Sequence, residues 1–153
     1  MKIKKITKFN DRVFEVVLRL LPQLDPHINL PEKQYFKNLL ASGNTHFFIA
    51  ELDNKDIAGM LTIGTYLTPT GMKVWIEDVI VDEPQRGTGI GKDLIQFAID
   101  YAKSLGAIDI RLTSRPTRVA ANKLYVKMGF VQYTTNVYKY KVPPCQHGSL
   151  VCG

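Results

Sequence analysis

Three glycines lie within residues 86–91, where an apolar strand pattern gives way to a helical one. Glycine lets the main chain curl so that several N–H groups point toward one spot, and the start of a helix adds positive potential there. Two cations, Arg86 and Lys92, stand at the ends of this segment. It therefore predicts a site for an anion such as phosphate. Its residues are Arg86, Gly87, Thr88, Gly89, Ile90 and Gly91.

Four interpretations of this glycine loop compete. A Walker loop is disfavoured, because Arg86 stands where its first glycine belongs and Asp93 where its magnesium-binding hydroxyl belongs. A dinucleotide fingerprint is disfavoured by the glycine spacing and by the late position in the chain. A loop that binds the pyrophosphate of coenzyme A fits the spacing. A tight turn that binds no ligand also fits, although the glycines then cost conformational entropy without a purpose.

A second candidate for chemistry is a pair of adjacent carboxylates, Glu77 and Asp78, inside an apolar strand pattern. Strict alternation would point them to opposite faces of the sheet unless a β-bulge intervenes. On that pattern Trp75, Glu77, Val79 and Val81 would share one face. A carboxylate on an apolar strand can serve as a proton acceptor, or it can form an ordinary ion pair with a basic neighbour.

The elements that must position these residues follow from hydrophobic periodicity and turn residues. Asn10 is predicted to cap a first helix that breaks between Pro22 and Pro26, and Pro31 to begin a second helix that ends at Gly43. An irregular segment, 24–30, would connect the two. Strands are predicted at 2–7, 46–52, 57–66, 73–81, 108–113 and 130–140. Further helices are predicted from the glycine loop to Gly106 and over 118–128.

This order predicts an α/β (α+β) fold with a mixed, mostly antiparallel central sheet flanked by helices. The strands at 46–52, 57–66 and 73–81 should form an antiparallel meander. The strand at 108–113 follows a strand–helix crossover and should pair in parallel with the strand at 73–81. The domain should span 1–142, and residues 143–153 are predicted to be an unpatterned tail.

Composition limits the class of protein. The chain has 153 residues, 45% of them hydrophobic and 22% charged, which is ordinary globular usage. No apolar run approaches the roughly 18 residues of a membrane span, and the basic N-terminus lacks the apolar core of a secretory signal, so a cytoplasmic location is expected. The only cysteines, Cys145 and Cys152, lie with His147 in the tail, and three such ligands do not predict a zinc site.

The net charge of +6 is distributed unevenly. No acidic residue follows Asp109, whereas that stretch contains Arg111, Arg115, Arg118, Lys123, Lys127, Lys139 and Lys141. Such asymmetry indicates either an anionic partner or a solvated basic surface. Few aromatic residues alternate with these cations, which disfavours RNA binding.

Two segments together resemble a known family. Residues 79–91 (Val-Ile-Val-Asp-Glu-Pro-Gln-Arg-Gly-Thr-Gly-Ile-Gly) resemble the first signature of the GNAT superfamily of acyl-CoA-dependent N-acetyltransferases. Residues 121–130 (Ala-Asn-Lys-Leu-Tyr-Val-Lys-Met-Gly-Phe) resemble its second signature. A helix and a strand separate them, as in the family, and the order of elements over 2–141 agrees. The tail lies outside the resemblance.

The resemblance implies acetyl-CoA as cofactor, with its pyrophosphate on the N–H groups of the glycine loop. It implies a sheet splayed at the cofactor site, with the pantetheine arm paired to the main chain of Val79 and Val81. An amide-bearing arm would satisfy main-chain groups that a splayed sheet leaves unpaired. Asn122 is similar to a family residue that bonds the cofactor.

The implied reaction moves an acetyl group to a primary amine by direct attack in a ternary complex. An alkyl amine is mostly protonated at pH 7, so a group must accept its proton. Glu77 stands where the family often places that base, with Asp78 or an ordered water as the alternatives. Tyr125 stands where many members present a tyrosine to the cofactor sulfur, as an acid for the departing thiolate.

The acceptor is expected to be a small-molecule or peptide amine, bound by residues 24–30, 66–72 and the last strand. Nucleic acid and membranes are not expected as partners, and the chain should be a monomer or a homodimer. The alternative function is a non-catalytic module that binds acyl-CoA or nucleic acid. Amine-stimulated thiol release would favour the enzyme, and steep salt dependence of nucleic-acid affinity would favour the alternative.

Overall fold

A computed structural model describes residues 1–142 of the chain. The sequence-based predictions for the tail and for Cys145, His147 and Cys152 lie outside these residues. Strand β1 (Lys2–Ile6) leads into helix α1 (Asp11–Leu24), whose first turn is capped by the side chain of Asn10, which accepts from the Val13 N–H at 3.1 Å. Helix α2 (Lys33–Ala41) follows.

The first helix ends between Pro22 and Pro26, as predicted. Helix α1 continues through Pro22 and ends at Leu24. Proline removes only its own N–H from the helix, and beyond it the Asp25 N–H still donates to the Leu21 carbonyl at 3.3 Å. The apolar side of α1 is therefore long enough to bring Gln23 and Leu24 to the end of the sheet where the glycine loop lies.

The sheet has five strands in the order β1-β2-β3-β4-β5. Strands β2 (Thr45–Glu51), β3 (Ile57–Thr68) and β4 (Gly71–Val81) form the predicted antiparallel meander, and β1 adds to β2 in the same sense. Helix α3 (Ile90–Ser104) crosses back to β5 (Asp109–Leu112), which pairs in parallel with β4 as predicted. Helix α4 (Val119–Lys127) follows. The α+β fold with a mostly antiparallel mixed sheet is confirmed.

Each face of the sheet covers its own hydrophobic core. On one face the buried stripe of α3, with Leu94 and Ile95 fully enclosed, packs against Val74 and Ile76 of β4. On the other face α1 and α2 pack their apolar sides, including Phe36, against Met60 and neighbouring strand residues. Strand β4 thus runs through the centre of the molecule with α3 on one side and α1 on the other.

The sheet is splayed where β4 and β5 part. Strand β5 pairs with β4 only from Lys73 to Ile76, so within residues 1–142 the main chain of 77–81 has no strand neighbour on that side. Helix α4 begins beside this open edge. The divergence creates a cleft that runs from the middle of β4 to the glycine loop.

The predicted last strand is wrong. Residues 130–142 form neither strand nor helix, and Val131 and Tyr138 are 88% and 87% exposed. An alternating apolar pattern forms a strand only against a neighbour that offers a matching edge. Here β5 offers four residues, and the segment meets it through a side chain instead, with the Arg111 guanidinium 5.8 Å from the centre of the Tyr133 ring. No helix within residues 1–142 is long and apolar enough to cross a membrane.

Candidate active site

A β-bulge places Glu77 and Asp78 on the same side of the sheet. Thr62 of β3 pairs with Glu77, but Met60, two residues away, pairs with Ile80, so β4 contains one extra residue. Asp78 takes a φ of 50°, a left-handed conformation that aspartate tolerates better than most residues. The expectation of opposite faces under strict alternation is therefore superseded by the bulge, which the sequence pattern allowed but did not require.

The bulge also changes the grouping of the neighbouring residues. Val79 and Val81 pack with Val74 and Ile76 against α3, whereas Ile80 packs on the side of α1. The predicted common face for Trp75, Glu77, Val79 and Val81 is therefore wrong. The main chain of Val79 and Val81 still forms the open edge of β4, which is the part expected to pair with a cofactor arm.

Both carboxylates line a cavity of about 330 Å³, here called the carboxylate cavity. Burial raises the pKa of Glu77, and the neighbouring charge of Asp78 raises it further. Burial also raises the pKa of Asp78. Neither has an ion-pair partner within residues 1–142. The remaining lining residues are Leu24, Asp25, Ile28, Thr113, Ser114, Arg115 and Arg118.

The arginines of the carboxylate cavity do not neutralise these two acids. Arg115 donates to the Asp25 carboxylate at 2.5 Å. Arg118 donates to the main-chain carbonyl of Val79 at 3.1 Å. Glu77 and Asp78 are therefore carboxylates with raised proton affinity and unused acceptor capacity, which suits a group that must take a proton from an ammonium.

The glycine loop forms the end of a larger cavity of about 620 Å³, here called the glycine-loop cleft. Gly87 and Gly89 have φ of 80° and 97°, and a Cβ at either would meet no atom within 4 Å. The requirement for glycine there is thus conformational rather than steric. Gly89 caps the start of α3, so the first N–H groups of this helix are directed toward the loop.

Most of the predicted cofactor residues line this cleft. They are Val79, Val81, Arg86, Gly87, Gly89 and Gly91. Thr88 and Ile90 do not line it: the Thr88 hydroxyl donates to the Gln85 carbonyl at 2.6 Å, and Ile90 is buried in the core under α3. Their main-chain groups remain part of the loop. Arg86 is held by its own turn, donating to the Val81 carbonyl at 3.2 Å and to Glu83 at 3.2 Å.

Asn122 does not line the glycine-loop cleft. Its side-chain amide donates to the main-chain carbonyl of Arg115 at 2.9 Å and so fixes the segment before α4. The structure thus gives Asn122 a local contact that can account for its presence without a cofactor.

Tyr125 of α4 lines the glycine-loop cleft together with Val79 and Val81 of β4. Its ring is 6% exposed and packs edge-on against Phe130, with ring centres 6.1 Å apart. Burial raises the pKa of the Tyr125 hydroxyl, and the charge of Arg118 offsets part of that effect. The phenol therefore remains protonated near neutral pH, as a proton donor must.

Sequence patterns did not identify several residues that line these cavities. They are Gln23, Thr117 and Arg118 in the glycine-loop cleft and Arg115 in the carboxylate cavity. Lys92 beside the loop, and Leu24 and Asp25 of the 24–30 segment, also line these cavities, as the sequence had indicated. The basic spacing Arg115–Arg118 just before a helix was the one available signal. Leu24 and Arg118 line both cavities, so the carboxylates lie beside the inner end of the cleft rather than in a separate site.

The family model described as "Acetyltransferase (GNAT) family" matches residues 11–130. Glucosamine 6-phosphate N-acetyltransferase 1 of Oryza sativa subsp. japonica is 26% identical over 131 residues, which cover 80% of this chain and 78% of that protein. Aminoalkylphosphonate N-acetyltransferase of Salmonella typhimurium is 26% identical over 132 residues, which cover 82% and 81%. Streptothricin acetyltransferase of Escherichia coli is 36% identical over 69 residues, and the match spans 40% of its length.

Solved structures share the fold. An aminoglycoside acetyltransferase from an uncultured soil metagenomic sample superimposes with a TM-score of 0.80 at 22% identity, covering 93% of this chain and 95% of that one. A protein described as a transcriptional regulator from Bacillus halodurans C-125 has a TM-score of 0.77 at 25% identity, covering 92% and 99%. The family model matches most of the chain, and the splayed sheet and the glycine loop at the start of α3 agree with it. This chain therefore belongs to the Acetyltransferase (GNAT) family of acyltransferase enzymes.

Proposed function

We propose that the chain transfers an acetyl group from acetyl-CoA to a primary amine by direct attack. The observation that carries this proposal is the junction of the two cavities: the glycine-loop cleft and the carboxylate cavity meet at Leu24 and Arg118. A donor in one and an acceptor in the other would bring their reacting atoms together at that junction. Relatives named as N-acetyltransferases of glucosamine 6-phosphate and of aminoalkylphosphonate support an amine acceptor.

The glycine-loop cleft fits coenzyme A in three respects. The loop N–H groups and the start of α3 suit a pyrophosphate, and Arg86 and Lys92 add positive charge along the cleft. The open edge of β4 at Val79 and Val81 suits an extended arm that carries amides. Tyr125 of α4 lines the same cleft, which suits a proton donor for the sulfur at the end of that arm. Acetyl-CoA, when bound, supplies the thioester carbonyl that the amine attacks.

The residues of the chain then have separate tasks. Asp78 holds the ammonium of the acceptor, and Glu77 takes one proton from it, so that the nitrogen can attack. The nitrogen would then bond to the thioester carbon and lose its second proton to Asp78, while the carbon–sulfur bond breaks and Tyr125 gives its proton to the departing sulfur. The Ser114 hydroxyl, which is buried without a partner within residues 1–142, offers the acceptor one further hydrogen bond.

Thiol release tests the proposal. Acetyl-CoA is mixed with the chain and a panel of primary amines, and free coenzyme A is measured as thiol. Thiol release that requires both the chain and an amine is expected, with the acetylated amine as the product. Gly89→Asp, which places a like charge against phosphate, is expected to abolish it. Release that no amine stimulates would contradict the transferase and favour a module that only binds acyl-CoA.

A further inference from the structure

A third cavity continues from the carboxylate cavity into the core under α1 and α2, and it is here called the apolar cavity. Asp78 and Ile28 line both. Most of its wall is hydrocarbon: Val17, Leu21, Phe36, Leu39, Phe47 and Met60. Asn29, Pro31, Tyr35 and Thr62 complete it. An amine that binds Asp78 would therefore lie next to this cavity.

The apolar cavity is large enough for one ring. Its volume is about 180 Å³. An apolar cavity of about 150 Å³ in another protein stays dry and binds benzene. A benzene-sized substituent thus fits, whereas a second ring does not.

The chemistry of the wall selects against polar substituents. Asp78 is the one charged residue that lines the apolar cavity. Hydroxyl or ammonium groups placed against Val17, Leu21 or Phe47 would lose their water without gaining a partner, which is costly. An apolar substituent would instead replace its own contact with water by contact with carbon.

From this we infer that the acceptor is a primary amine that carries one aromatic ring or branched alkyl group on a short linker. The ammonium binds Asp78, and the apolar group occupies the apolar cavity. This inference rests on the proposed function and names its substrate class. It predicts a preference that differs from the polar acceptors named for the relatives.

Acetylation kinetics with matched amines test the inference. For the unmodified chain, kcat/KM for 2-phenylethylamine should exceed that for ethylamine by roughly 10- to 100-fold, and should also exceed that for spermidine and for kanamycin. Leu39→Trp fills the apolar cavity and should reduce the ratio of phenylethylamine to ethylamine toward one. Leu40→Trp makes the same change on the same helix at a residue outside the cavity wall, and the ratio should stay high. Ile28→Trp repeats the test from the loop side, in case Leu39→Trp does not fold.

Binding provides a second readout that does not depend on turnover. Calorimetry with 2-phenylethylamine should show saturable binding to the unmodified chain and to Leu40→Trp, and a loss of at least tenfold in affinity in Leu39→Trp or Ile28→Trp. Turnover of several amines with no preference for the apolar one would overturn this inference and leave the transferase intact. Absence of both turnover and stabilisation by coenzyme A would instead overturn the proposed function. The calorimetry would still show whether the apolar cavity binds 2-phenylethylamine.

Discussion

The guanidinium of Arg118 donates to the main-chain carbonyl of Val79 at 3.1 Å and closes the inner end of the glycine-loop cleft. That carbonyl lies on the open edge of β4, where the pantetheine arm is expected to pair. Arg118 therefore occupies an acceptor that the cofactor is expected to use.

Removal of this contact should change the affinity for coenzyme A. Arg118→Met should bind coenzyme A about 3- to 10-fold more tightly than Arg115→Met, because both variants lose one cation but only the first frees the Val79 carbonyl. Arg115 is the matched control, since its partner is Asp25. Dissociation constants from calorimetry check this. If Arg118→Met binds more weakly than Arg115→Met, Arg118 contacts the cofactor itself.

The two loop glycines at the start of α3 should respond differently to alanine. Gly89→Ala imposes a left-handed conformation on a side chain and should lower the free energy of unfolding by about 1–2 kcal/mol. Gly91→Ala has no such strain, and its Cβ would lie 3.4 Å from the flexible end of Leu124. Because alanine favours helix, Gly91→Ala should be neutral or slightly stabilising. Urea unfolding of both variants measures the difference, and equal losses would show that packing rather than conformation is limiting.

The charged Asp78 side chain should lower the free energy of unfolding at neutral pH. Its pKa is raised in the folded chain by burial, so the folded state holds the proton more tightly than the unfolded state. Its contribution is favourable below the unfolded pKa of 3.8 and is lost as pH rises through the folded value. Asp78→Asn, which tolerates the same φ, should therefore raise the melting temperature at pH 7 and have little effect near pH 3. Equal changes in melting temperature in Asp78→Asn at both pH values would contradict a raised pKa of Asp78 in the folded chain.

Glu77→Gln tests the base. The raised pKa of Glu77 should place the acid limb of kcat/KM above the ordinary glutamate value of about 4.3, because only the carboxylate accepts the proton. In Glu77→Gln kcat/KM at pH 7 should fall, and the remaining rate should climb with pH as free amine becomes available. An unchanged profile from pH 6 to 9 would transfer the role to Asp78 or to a water.

Tyr125→Phe tests the acid. The substitution keeps the packing against Phe130 and removes only the hydroxyl. Since a thiolate leaves fairly well unaided, kcat should fall by about 10- to 1,000-fold while coenzyme A affinity stays within a few-fold. Steady-state kinetics and calorimetry separate the two quantities. A change in affinity alone would give Tyr125 a binding role instead.

Coenzyme A should stabilise the fold by roughly 2.7 kcal/mol at a concentration about 100 times its dissociation constant. NAD and ATP at the same concentration should give smaller rises in melting temperature, because the loop lacks the spacing of their fingerprints. A larger rise with NAD would overturn the assignment of the cleft.

Local patterns predicted the elements whose residues determine their own structure. Asn10 caps α1, Gly89 starts α3, and the crossover through α3 makes β5 parallel to β4. The pattern over 130–140 failed because a strand depends on an available edge elsewhere in the chain. The end of α1 at Leu24 was predictable because Pro26 favours an extended conformation at Asp25.

The site was predicted in part. The glycine loop was identifiable because its conformation depends on glycines that all lie within one short segment. That Glu77 and Asp78 share a cavity depends on pairing between β3 and β4, which neither strand reveals alone. Arg115 and Arg118 were missed because they reach the site only through the packing of the segment before α4 beside the open edge of β4.

The bulge in β4 comes from a single residue. Asp78 is the surplus residue: Glu77 pairs with Thr62 and Ile80 with Met60, so without Asp78 the strand would alternate regularly, and each remaining side chain would keep its present face. The second carboxylate of the cavity is thus an insertion that the surrounding sheet does not need. Deletion of Asp78 alone would therefore leave a regular strand that contributes one carboxylate, Glu77, to the carboxylate cavity.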